Sequence, residues 1–134
     1  MKWKEAYATG DALVDKQHKS LFAFSEEFRE VLDHANGDKT YDLFLEFLNE
    51  YAEVHFSFED SCMMAHRCPI ADRNRKEHGS FRRLIETEQH AYTADGFDRA
   101  RAYALLDQID HWLDSHIARI DVQLKDSIAA GRQC

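Results

Sequence analysis

The stretch HFSFEDSCMMAHRCPIADRNRKEHGSF, His55 to Phe81, decides the fold and contains half of the site. It holds the chain's one proline, Pro69, with a helical pattern on either side. His55 and Glu59 stand four residues apart, so on a helix they share one side. The apolar series Tyr41, Leu45, Leu48 and Ala52 leads into them at alternating spacings of four and three, and Cys62 continues it. Beyond the proline, Asn74, His78, Phe81 and Ile85 form a second inward series. Ionisable groups therefore occupy core seams, where each charge taken out of water is costly unless something compensates it.

Working outward, a first helix is expected after Asp11, running to about Ala35 with the seam Val14, His18, Leu21, Ser25, Phe28, Leu32. Asn36-Gly37-Asp38 supplies a stop and the next start. The second helix should span about 40–65, and the third should begin beside Pro69, where proline suits a first turn, and reach about Tyr92. After the turn Thr93-Ala94-Asp95-Gly96, a fourth helix is expected from about Phe97 to Ala130, with Leu105, Ile109, Trp112, His116, Ile120 and Leu124 on one side. Residues 1–11 read as an arm whose Trp3 and Tyr7 can fold back on the body. Long helices joined by short loops lie antiparallel to their neighbours, so the fold class is all-α, an up-down-up-down four-helix bundle with an N-terminal arm.

Composition bounds the partners. A chain of 134 residues makes one domain, 1–134, with a single core. The net charge of -8 repels phosphate backbones and anionic lipid, so neither nucleic acid nor membrane is an expected partner. No apolar run approaches the roughly 20 residues of a membrane span, and MKWKEAYATGD lacks the apolar region of a signal peptide. A cytoplasmic protein is expected. Cys62, Cys68 and Cys134 form no C-x-x-C pair and are expected to be free thiols.

Each helix places one histidine on its seam: His18, His55, His78 and His116. A single such histidine is more often a core residue satisfied by a hydrogen bond. Four of them, one per helix and joined by Glu59, point instead to a metal site, and imidazole with carboxylate suits iron, manganese or zinc. Asp121 follows His116 by five residues, about 500° of helix and so roughly 140° round from it, and spacing leaves open whether it joins the site. Cys62, one turn beyond Glu59, is a remote further candidate.

Several motifs in order resemble those of the bacterial single-domain hemerythrins. They are W-x3-Y-x-T-G-D from Trp3 to Asp11, D-x-Q-H-x2-L-F from Asp15 to Phe22, H-F-x2-E-D-x2-M from His55 to Met63, H-x2-F from His78 to Phe81, and W-x3-H-I-x3-D from Trp112 to Asp121. The resemblance implies a four-helix bundle around a non-haem diiron centre with oxo or hydroxo and carboxylate bridges. It assigns His18 and His55 to one iron, His78 and His116 to the other, and Glu59 and Asp121 as bridging carboxylates. It further implies reversible dioxygen binding, as peroxide, at the iron of His18 and His55, in a dry pocket for which Ile117, Trp112, Phe22, Leu21 and Phe56 are wall candidates by position. Storage, delivery or sensing of dioxygen would follow, in a monomer or weak homo-oligomer, with nitric oxide or peroxide as other ligands and a signalling protein as a further partner.

One departure stands out. Where the family has a further histidine four residues before His78, this chain has Asn74, and an amide oxygen is a weaker donor to iron than imidazole. Three outcomes are open. The amide or a water completes the second iron; an exchangeable position there makes the centre a diiron peroxidase, an oxidase or a redox or NO sensor; or one metal is lost. Among lesser features, Met63 and Met64 are expected in or near the core and Glu86 and Glu88 on a solvated face.

Overall fold

A computed structural model of the chain describes residues 2–35, 37–65, 67–119, 123, 125 and 126. Its helices are α1 (Ala12–His34), α2 (Tyr41–Tyr51), α3 (Ser57–Ala65), α4 (Ala71–Asp95) and α5 (Arg99–Arg119), and no strand occurs among the described residues. A single π-helical turn, Ala52–Phe56, joins α2 to α3, so these form one interrupted rod and the whole is the expected all-α four-helix bundle. α1 packs on α5, the α2–α3 rod packs on α4, and α4 on α5. No described helix is long and apolar enough to cross a membrane. Of the expected fourth helix, the part beyond Arg119 falls largely outside the described residues, as do Ile120 and Leu124.

The helix ends follow from the residues that occupy them. Asp11 caps α1, its carboxylate accepting from the Val14 backbone N–H at 2.9 Å. Thr9 ties the arm to the same helix: its backbone N–H and hydroxyl donate to Asp15 Oδ1 at 2.8 and 2.9 Å. The T-G-D motif and the Asp15 that opens the next one are thus a capping device. At the end of α4, Gly96 takes φ 78°, a left-handed conformation that glycine adopts without penalty, and its N–H closes on the Tyr92 carbonyl at 2.8 Å.

Tyr7 anchors the arm. Its ring stacks on Phe22 with centroids 5.4 Å apart, and its hydroxyl donates to Asp114 of α5 at 2.7 Å. Burial, followed by the hydrogen bond and the negative charge of Asp114, pushes the phenol from its ordinary 10.0 up to about 12. Because the folded chain holds this proton more tightly than the unfolded one, the contribution is complete below pH 10 and is lost as the pH rises through about 12. Tyr7→Phe is expected to cost about 1 kcal/mol at neutral pH and to flatten the decline in stability across that alkaline window, as measured by urea unfolding. An unchanged pH profile would show that the hydrogen bond is not maintained in solution.

The π turn was not legible in the regular four-three spacing of residues 41–62. A wider turn displaces carbonyls from the α ladder, and here the Ala52 carbonyl accepts from Arg82 of α4 at 3.4 Å. The Arg82 guanidinium also lies 5.5 Å from the centre of the Phe56 ring. Arg82 therefore braces the turn that carries His55. Elsewhere three expectations are corrected. Met64 is 62% exposed, whereas Met63 is fully buried. Glu88 is buried rather than solvated, because Arg101 of α5 donates to both its oxygens at 2.7 and 3.3 Å. Cys62 is disulfide-bonded, not free, while Cys68 is a buried free thiol; Cys134 lies outside the described residues.

Candidate metal centre

His18 from α1, His55 from the π turn, Glu59 from α3, and His78 and His116 from α4 and α5 converge in the interior, each at most 2% exposed. Their arrangement is paired. Glu59 Oε2 lies 3.2 Å from His18 Nε2 and 3.4 Å from His55 Nε2. The other oxygen, Oε1, lies 3.1 Å from His78 Nε2 and 3.9 Å from His116 Nε2. One carboxylate thus presents an oxygen to each of two imidazole pairs. Both triads, His18 with His55 and Glu59, and Glu59 with His78 and His116, keep their donor atoms within 4.8 Å of one another, close enough to hold an ion.

The outer nitrogens of three rings are fixed by acceptors. His55 Nδ1 lies 2.6 Å from Gln17 Oε1, His78 Nδ1 3.1 Å from Asp60 Oδ1, and His116 Nδ1 2.9 Å from Glu77 Oε1. An amide or carboxylate oxygen only accepts, so each Nδ1 carries a proton, and in the neutral ring each Nε2 then turns a lone pair inward. This is the tautomer that metal coordination requires. Sequence reading missed Gln17, Asp60 and Glu77, although each stands within one residue of a ligand.

Electrostatics agree with an anionic centre. Burial pushes the Glu59 carboxyl up, but the imidazoles of His116, His18, His55 and His78 outweigh it and hold the group well below the usual carboxylate range. For Glu77, burial is likewise outweighed, first by His116 and then by Arg73 and Arg119. His78 is raised because Asp60 and Glu59 overcome its burial. Even so, Glu59 Oε1 and His78 Nε2 face each other without hydrogen-bonding geometry. Leaving a buried polar atom unsatisfied costs about 1–3 kcal/mol, and a cation between these atoms would relieve both.

A narrow cavity, too tight to admit a water molecule, lies beside the centre, lined by His18, Leu21, Tyr51, His55, Phe56, Trp112, Leu113, His116 and Ile117. Of the expected wall residues, Leu21, Phe56, Trp112 and Ile117 are here. Phe22 is buried away from it, against Tyr7. Tyr51 and Leu113 are added, and Tyr51 donates its hydroxyl to the Gln17 carbonyl at 2.9 Å. Asn74 is fully buried beside Asp60, and its amide nitrogen donates to Asp60 Oδ1 at 3.1 Å. Asp121 lies outside the described residues.

A helical bundle whose interior pairs four imidazoles around a shared carboxylate belongs to the class of bundle metalloproteins. Residues 9–126 match the Hemerythrin HHE cation binding domain, and the chain belongs to the hemerythrin family. It is similar to a bacteriohemerythrin of Clostridium acetobutylicum, 28% identical over 131 residues that cover 92% of this chain and 98% of that one. It is also similar to a bacteriohemerythrin of Ralstonia nicotianae, 30% identical over 123 residues that cover 90% and 83% of the two chains.

The outer acceptors give a direct test of the centre. Glu77→Gln keeps an oxygen for His116 Nδ1 but removes its charge, and is expected to weaken metal binding about tenfold, in line with losses for such partners. Competition with a chelator under anaerobic conditions measures this. Unchanged affinity would mean that Glu77 does not support the ligand.

Proposed function

We propose that this chain is a non-haem diiron protein that binds dioxygen reversibly. His18 and His55 would hold one iron and His78 and His116 the other, with Glu59 bridging them. Asp121 is proposed as a second bridge on the W-x3-H-I-x3-D motif alone. The observation that carries the reading is the division of Glu59's two oxygens between two imidazole pairs, at 3.2 and 3.4 Å on one side and 3.1 and 3.9 Å on the other. When bound, two ferrous ions supply the two electrons that reversible capture of dioxygen requires.

The chain's own residues then decide what happens to the gas. Leu21, Phe56, Leu113 and Ile117 line the cavity beside His18 and His55 with hydrocarbon and exclude water. Tyr51, the one hydroxyl among the described residues of that wall, is committed to the Gln17 carbonyl. A peroxidase or oxidase needs a positioned proton donor to cleave the oxygen–oxygen bond. With the lining hydroxyl turned outward, the cavity suits binding and release, which supports a carrier or sensor over a redox enzyme.

Anaerobic loading with ferrous iron should give two irons per chain. Air should then produce a charge-transfer absorption that vanishes on deoxygenation and returns through repeated cycles. Irreversible bleaching in the first cycle would instead favour the second reading, a peroxidase, oxidase or NO sensor, for which the observation is Asn74 in place of a histidine.

A further inference from the structure

We infer that Asn74 is a fixed oxygen donor to the metal held by His78 and His116, oriented by Asp60. The inference rests on the two-metal reading above and assigns a ligand that replaces the missing imidazole.

Asp60 sets the orientation. Its Oδ1 accepts from His78 Nδ1 at 3.1 Å and from Asn74 Nδ2 at 3.1 Å. A carboxylate oxygen has no proton to give, so the amide must present its nitrogen to Asp60; a flipped amide would set two acceptor oxygens against each other. With the nitrogen committed, Asn74 Oδ1 points away from Asp60. The residue is 0% exposed, and this oxygen has no hydrogen-bond partner among the described residues.

Glu59 Oε1 and His78 Nε2 are among the other buried atoms in that condition. Asn74 and His78 are one turn apart on the same face of α4, and both are held by the same Asp60 oxygen. The amide and carboxylate oxygens only accept, and so does Nε2 of a neutral imidazole, so with His78 neutral none satisfies another. A divalent cation satisfies all three. Two imidazoles with one carboxylate oxygen is a donor set suited to ferrous iron that leaves positions open, and the amide oxygen would fill one of them. Asp60 is thereby a positioning residue for two ligands at once.

Stepwise anaerobic titration with Co²⁺, followed by ligand-field absorption and equilibrium dialysis, tests this without any turnover. The wild-type chain should take up two ions in distinguishable steps. Asn74→Leu, close in size and apolar, should weaken one step about tenfold or more and change its spectrum while leaving the other step as in wild type. Asn74→His should tighten that same step and shift its spectrum towards an added nitrogen donor, a gain that impaired folding cannot imitate. Two unchanged steps in Asn74→Leu, or no tightening in Asn74→His, would overturn the assignment while leaving the two-metal reading intact. A wild-type chain that binds fewer than two ions would instead overturn the two-metal reading, and this assignment with it.

Discussion

Glu59→Leu is expected to abolish metal uptake at both positions and to destabilise the metal-free chain. The first half follows because each oxygen of this one carboxylate serves a different imidazole pair, so one substitution removes a ligand from both. The second half follows because Glu59 is 0% exposed and the buried imidazoles that hold its carboxyl well below the usual range would lose their partner. Removing one partner of a buried ionic cluster typically costs about 3–5 kcal/mol, whereas replacing the whole cluster with apolar residues is often neutral. Metal analysis and thermal melts in chelator measure the two halves; a variant that still loads two irons, or one whose metal-free form melts as wild type does, contradicts this account of Glu59.

Phe56→Ala should combine a large loss of stability with loss of reversible gas binding. The Phe56 ring is 1% exposed, lies 3.9 Å from the His78 ring at an interplanar angle of 4°, and meets Phe81 edge-on at 5.4 Å. It also forms part of the cavity wall and lies beneath the Arg82 guanidinium. Truncating a buried phenylalanine costs about 3–5 kcal/mol, measurable by denaturant unfolding of the metal-free chain. The vacated space adjoins His55 and admits water to the cavity, so the iron-loaded variant should oxidise irreversibly within its first exposure to air. Cycling as well as wild type would show that Phe56 does not keep the cavity dry.

Much of the centre was legible in the sequence because ligands and core share a period. His18, His55, Glu59, His78 and His116 fall on helical seams, and a seam residue in a bundle can only point inward. The outer partners were not legible for a geometric reason. Gln17, Asp60 and Glu77 each stand within one residue of a ligand, on the flank of the helix. Whether a flank residue meets a histidine of its neighbour depends on how two rods are rotated against each other. The π turn escaped for a related reason, since apolar spacing records which face is buried and not how the backbone hydrogen bonds run. Glu88 looked like surface because its partner, Arg101, lies on the next helix. For Asp121, spacing left its role open and the described residues do not include it.

Crystals of the ferrous-loaded chain, measured for anomalous scattering at the iron edge, test the central claim most directly. Two iron peaks are expected, one between His18 and His55 and one between His78 and His116, with an oxygen of Glu59 facing each. A single peak, or none with the four imidazoles hydrogen-bonded to Glu59 alone, would contradict it.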